Sequence, residues 1–269
     1  MLLKEVFIVP VVLMMLAIAA SQVASSSPEH DAYTAAMHRK DVQAKANALE
    51  SFLTKYPNSG LREGALESLV QAYQQTLSPK QWNALHELLT MNPNNLYGLI
   101  VKASMPCDAE PRPGMCAEEE STLANRGLQA LATATKPEYL NDTEFAVRKA
   151  QAAIAFHSLA GSVAFGRRDY NASQQHYSIA VGIDPTNLAS VYPLALACIK
   201  ADPPDSLRGL FFLARAAVLT EGGRHLEVAE YGKTEYVKYH GSEQGWTDLL
   251  NLAKGSATLP TGFSITPAH

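Results

Sequence analysis

The chain has 269 residues, 47% of them apolar and 18% charged. Its 22 basic and 26 acidic side chains leave a formal charge of −4, without the basic excess of a general nucleic-acid binder. Three cysteines are too few for a disulfide-dense scaffold or a four-cysteine zinc site.

The first predicted element is an address. Phe7 to Ala20 is an uncharged, mostly apolar run preceded by Lys4 and followed by small residues. A spanning helix needs about twenty residues, so residues 1–21 read as a secretory signal peptide, cleaved after Ala19 or Ser21. The alternative is an uncleaved anchor, and any membrane contact is expected through this segment alone. A periplasmic or secreted location follows. Residues 22–28 read as a flexible polar tether.

From Glu29 onwards apolar residues recur at steps of three and four, as one-sided helices require. Between Asp41 and Tyr56 they include Val42, Ala46, Leu49, Phe52 and Leu53. Nothing sustains the two-residue alternation of a strand. Pro57, Pro93, Pro137 and Pro185 mark helix ends, at intervals of 36, 44 and 48 residues. A unit near 34 residues with insertions is the signature of stacked helix hairpins. The expected fold is all-α, a solenoid of about six antiparallel hairpins over residues 29–254.

Within the longer intervals lies an inserted loop, 107–116, rich in proline. Cys107 and Cys116 bracket it, and in an exported chain they are expected to form a disulfide. A metal site is the rival reading, and it lacks further ligands at suitable spacing. Cys198 lies in the apolar stretch Val191 to Ile199 and reads as a buried small hydrophobe.

The segment Ile154 to Asn187 is 34 residues long and holds Gly161, Ala164, Ser173, Tyr177, Ala180 and Pro185 at regular places. With these residues it resembles a tetratricopeptide repeat (TPR), whose pattern wants small residues, an aromatic, alanine and proline at such spacing. The segments ending at Pro57 and Pro93, and the one from Leu188 with Ala195, Gly209, Leu213 and Ala216, fit more loosely. The C-terminal stretch from Tyr236 to Ile265 is similar to the end of exported bacterial TPR proteins of unknown role. Trp246, Leu249, Leu250 and Leu252 suit a last amphipathic helix that closes the stack. Phe263 and Ile265 suit a clamp folding back on it, so that residues 255–269 pack as a cap. A ligand-binding aromatic cluster is the alternative there.

Few residues point to chemistry. Gly232-Lys233-Thr234 lacks the upstream glycine of a phosphate loop, since Glu227 stands in its place. The eight histidines show no zinc-protease spacing, and neither metal nor cofactor is expected. Asn141 and Asn171 head glycosylation-type triplets but sit where helix caps are expected. His157 and His176 fall on the two helices of the best unit, and packing or solvation is the plainer role for them. The expected function is a non-enzymatic interaction module or scaffold in the bacterial cell envelope. It would bind a peptide or partner protein on a concave surface lined by the first helix of each pair. His157, Arg167, Tyr192 and Lys200 are the candidate groove residues. The alternatives are an envelope hydrolase, marked by His157 beside a carboxylate, and an obligate subunit of a secretion or envelope assembly.

Overall fold

Proline-bearing turns with the same internal chemistry recur along the chain and set its architecture. Asn92 and Asp184, each followed by proline, leave the helix with φ of −128° and −132°. Their side-chain oxygens then accept from the backbone N–H two residues on, at Asn94 and Thr186. Tyr56 leaves its helix similarly before Pro57, with φ of −123°. A residue before proline is excluded from the helical region, and Asx turns receive the freed backbone groups.

The computed structural model of the chain describes residues 27–104, 115–220 and 223–268. The expected signal peptide, Cys107 and the Cys116 side chain, and with them the expected disulfide, lie outside the described residues. Among those residues there are twelve helices and no strand. They run in six consecutive pairs. The first three are α1 (Pro28–Met37) with α2 (Val42–Lys55), α3 (Arg62–Gln75) with α4 (Gln81–Met91), and α5 (Leu96–Ala103) with α6 (Met115–Thr133). The last three are α7 (Asp142–Gly166) with α8 (Tyr170–Ile183), α9 (Leu188–Lys200) with α10 (Ser206–Leu219), and α11 (Gly223–His240) with α12 (Trp246–Gly255). Packing is mainly between helices adjacent in sequence, as in a solenoid of helix hairpins. Four features depart from simple succession: α4 touches α5 lightly, α7 also packs on α5, α7 touches α9 lightly, and α11 and α12 both pack on α10.

Helix starts follow capping chemistry. Asp41, Asn95, Asp169 and Asp205 each accept from a backbone N–H three residues on, which satisfies donors that the helix leaves free. Asn141 forms a reciprocal capping box with Glu144 at the start of α7. The first helix begins at Pro28, inside the expected tether. Ser27 caps it by accepting from the His30 N–H, and Pro28 occupies a first-turn position where no donor is needed.

Three apolar clusters follow one another along the stack. The first joins α1 to α5, the second α5 to α7, and the third α8 to α12 with the tail. Phe52, Phe156 and Phe211 are buried in the first, second and third respectively. In the fourth pair, a side chain at Gly161 would meet the Tyr177 ring at 2.9 Å. Ser173 donates to the Gly161 carbonyl at 3.0 Å, which locks α8 onto α7. Ala180 is buried beside them and Ala164 is partly covered. The Ala164 carbonyl accepts from the Asp169 N–H where α7 ends.

Candidate functional site

A dense polar constellation gathers around Glu67 on α3. This carboxylate is buried, and α3 is apolar on both sides of it, with Leu66, Leu69 and Val70 also buried. Burying a charge is costly unless it is paired and hydrogen-bonded. Glu67 meets that requirement from three directions. One oxygen accepts from Asn95 Nδ2 at 2.6 Å and from the Tyr139 hydroxyl at 2.9 Å, and the other from Arg148 Nη1 at 2.6 Å. Asn95 Nδ2 also donates to Glu63, as does Asn92 Nδ2.

Aromatic groups complete the cluster. The Arg148 guanidinium lies 5.1 Å from the centre of the Tyr97 ring, a cation–π distance. Tyr97 donates to Gln74 at 3.0 Å. A side chain at Gly64 would come within 2.9 Å of both the Tyr139 ring and the Tyr33 hydroxyl, so glycine lets two tyrosines reach α3. Burial, then the Glu67 charge, pushes Tyr97 up to about 12. Burial followed by Glu67 and Glu63 raises Tyr139 further. Both phenols therefore stay protonated donors across the ordinary pH range. Tyr33, Glu67, Tyr97 and Arg148 come from α1, α3, α5 and α7, the first helix of each of the first four pairs.

A cleft of about 200 Å³ opens beside this cluster. Its wall combines Glu63, Asn94 and Thr135 with Leu96, Leu140 and Phe145. Polar groups fixed among apolar ones are the usual make-up of a binding cleft.

The residues singled out from the sequence lie elsewhere and apart. His157 on α7 faces His176 on α8, with Nδ1 to Nδ1 at 3.0 Å, rather than a carboxylate. Burial lowers the pKa of both rings, and His176 adds to the effect at His157. Arg167, exposed at the end of α7, lines a second cleft of about 210 Å³ with Ser121, Asn125, Asp169 and His176. Tyr192 is half-buried against the C-terminal cluster, near Tyr231. Lys200 ends α9 in solvent. Only His157 and Arg167 thus share surroundings, through His176. Cys198 is a buried free thiol, pushed up to about 12 chiefly by burial.

At the C-terminus Trp246 is buried at the start of α12, with its ring against Gly232, where a side chain would approach it to 2.7 Å. That contact explains the glycine of the Gly232-Lys233-Thr234 sequence. Phe263 and Ile265 pack on the same apolar cluster, and the tail is held by Ala268 N–H on the Tyr239 carbonyl at 2.7 Å. Arg215, buried on α10, donates to the carbonyls of Ala253 and Pro185 and so ties α12 to the fourth pair. Among the described residues no group of three or more histidine, cysteine, aspartate or glutamate side chains could hold a metal ion, and no helix is long and apolar enough to cross a membrane. Compared with known proteins, the chain matches no family model, no curated protein and no solved structure.

Proposed function

We propose that this chain is a TPR-like, non-enzymatic scaffold exported to the cell envelope, which binds an extended peptide segment of a partner protein. The observation that supports this reading is the convergence of Asn95 at the start of α5, Tyr139 before α7 and Arg148 on α7 upon Glu67 of α3, beside an open cleft of mixed polarity. In hairpin solenoids the first helices line the inner surface, where extended partners dock. The closed hydrogen-bond set around Glu67 fixes that surface in advance, and preorganisation lowers the entropy lost on binding. The neighbouring amides and hydroxyls suit a peptide backbone, and Leu96, Leu140 and Phe145 suit one apolar side chain.

Peptide selection from a random library on the mature chain tests the proposal. Asn94→Arg and Thr135→Arg place bulk and charge in the cleft at exposed positions. Selected peptides should lose at least about tenfold in affinity on either variant, equivalent to about 1.4 kcal/mol. Trp82→Ala, on the exposed face of α4, should leave affinity unchanged. Peptides bound equally by both cleft variants would overturn the proposal.

A further inference from the structure

In the cleft beside Glu67, the carboxylate of Glu63 is held in place but its charge is not balanced. Glu63 is half-buried on α3, and Asn92 Nδ2 and Asn95 Nδ2 both donate to one of its oxygens, Oε1, at 2.6 and 2.7 Å. Two donors occupy both lone pairs of that oxygen. Among the described residues nothing donates to the other oxygen, Oε2. Glu67 differs, since Arg148 balances its charge at 2.6 Å and Asn95 and Tyr139 complete its bonds. Cations on the flanking segments are engaged elsewhere, Arg62 with Glu87, Lys136 with Asp142 and Arg126 with the Pro93 carbonyl. Glu63 is therefore the uncompensated charge of the cleft wall.

A carboxylate partly withdrawn from water pairs best with a donor that brings positive charge. The geometry selects which donor. A guanidinium fork uses both oxygens of a carboxylate for its bidentate bonds, and Oε1 is already taken. An ammonium is a point charge that needs one oxygen. Asn94 and Thr135, on the same wall, offer further oxygens to its other protons, and Leu96, Leu140 and Phe145 cover a four-carbon stem. At about 200 Å³ the cleft is smaller than the roughly 300–1,000 Å³ of small-molecule pockets, a size for one long side chain of a peptide that continues outside. Resting on the peptide-docking reading above, we propose that the cleft recognises a lysine of the partner peptide, its ammonium on Glu63 Oε2.

Peptides selected from the random library on the mature chain test this assignment, and they should share one lysine. Replacing that lysine with norleucine keeps the stem and removes the charge, and should weaken binding at least about tenfold, as for a hydrogen bond to a charged group. Glu63→Gln keeps an acceptor for both asparagine amides and loses only the charge, and a thermal melt checks its fold. On this variant the parent peptide should bind at least about tenfold more weakly, and the norleucine replacement should cost nothing further. Glu230→Gln, at an exposed position on α11, should leave affinity unchanged. Peptides that lose affinity on Asn94→Arg and Thr135→Arg, yet share no lysine or tolerate its replacement, would overturn the lysine assignment and leave peptide docking standing. An arginine at the shared position would do the same. Peptides indifferent to both cleft variants would overturn the docking as well.

Discussion

Glu67 holds its charge inside the stack because three donors meet it, and the balance fails if any charged member is lost. Glu67→Gln leaves the Arg148 guanidinium, largely buried itself, without its counter-charge. Breaking a buried pair from one side costs about 3–5 kcal/mol, and urea unfolding of this variant should show a loss of that order. A loss under about 1 kcal/mol, the range of a surface pair, would mean that the carboxylate is solvated. The tyrosines around it make a second expectation. Their ionisation is displaced upward in the fold, Tyr97 to about 12 and Tyr139 beyond it. The unfolded chain releases these protons from about pH 10. The resulting stabilisation is complete below that pH and is lost as pH rises through the folded values. The urea midpoint should therefore fall between pH 10 and 12, less steeply for Tyr139→Phe. An unchanged slope in that variant would contradict the assignment. None of this cluster was legible in the sequence, since Glu67 is 72 residues from Tyr139 and 81 from Arg148. The one local signal was a carboxylate flanked by Leu66, Leu69 and Val70 on the apolar side of its helix, which period-counting passes over.

Helix ends show which punctuation a sequence carries and which it hides. The turns after α2, α4 and α8 were legible because proline marks them. The left-handed residues that close α3 and α7 were not, because Leu77 and Arg168, at φ of 51° and 62°, stand where glycine is the usual signal. At each, the hydrogen-bond pair of a Schellman turn is complete: Ser78 N–H to the Tyr73 carbonyl with Leu77 N–H to the Gln74 carbonyl, and Asp169 N–H to the Ala164 carbonyl with Arg168 N–H to the Phe165 carbonyl. The left-handed conformation costs a side-chain-bearing residue about 1–2 kcal/mol. Leu77, 88% exposed, gives up little packing on removal. Leu77→Gly should thus stabilise the protein by about 1 kcal/mol in a urea melt, and destabilisation would contradict the turn geometry. At the other end of the stack, Trp246→Ala removes a buried aromatic that fills the space over Gly232. It should cost about 3–5 kcal/mol and promote self-association, seen by thermal melts and light scattering. An unchanged melting temperature would mean that Trp246 does not seal the stack.

At the scale of the whole chain, the helix-hairpin array was legible because its contacts are local. Each pair packs mainly on its sequence neighbours, so the periodicity of short segments carries most of the architecture. The inner surface was less legible, because which helical face turns inward depends on how successive pairs rotate. His157, Arg167, Tyr192 and Lys200 were drawn from adjacent units, yet their facings separate them along the stack. The convergence on Glu67 depends instead on α7, 25 residues long, packing on both α5 and α8. The central claim is that partners dock in the cleft beside Glu67, within the N-terminal four pairs. Its most direct test places a photo-crosslinking amino acid at Thr135, in the cleft, or at Trp82, outside it, in the chain expressed in its native host. Irradiation followed by mass spectrometry should yield a discrete partner adduct from position 135 and none from position 82. Adducts of equal yield at both positions, or at position 82 alone, would contradict the claim.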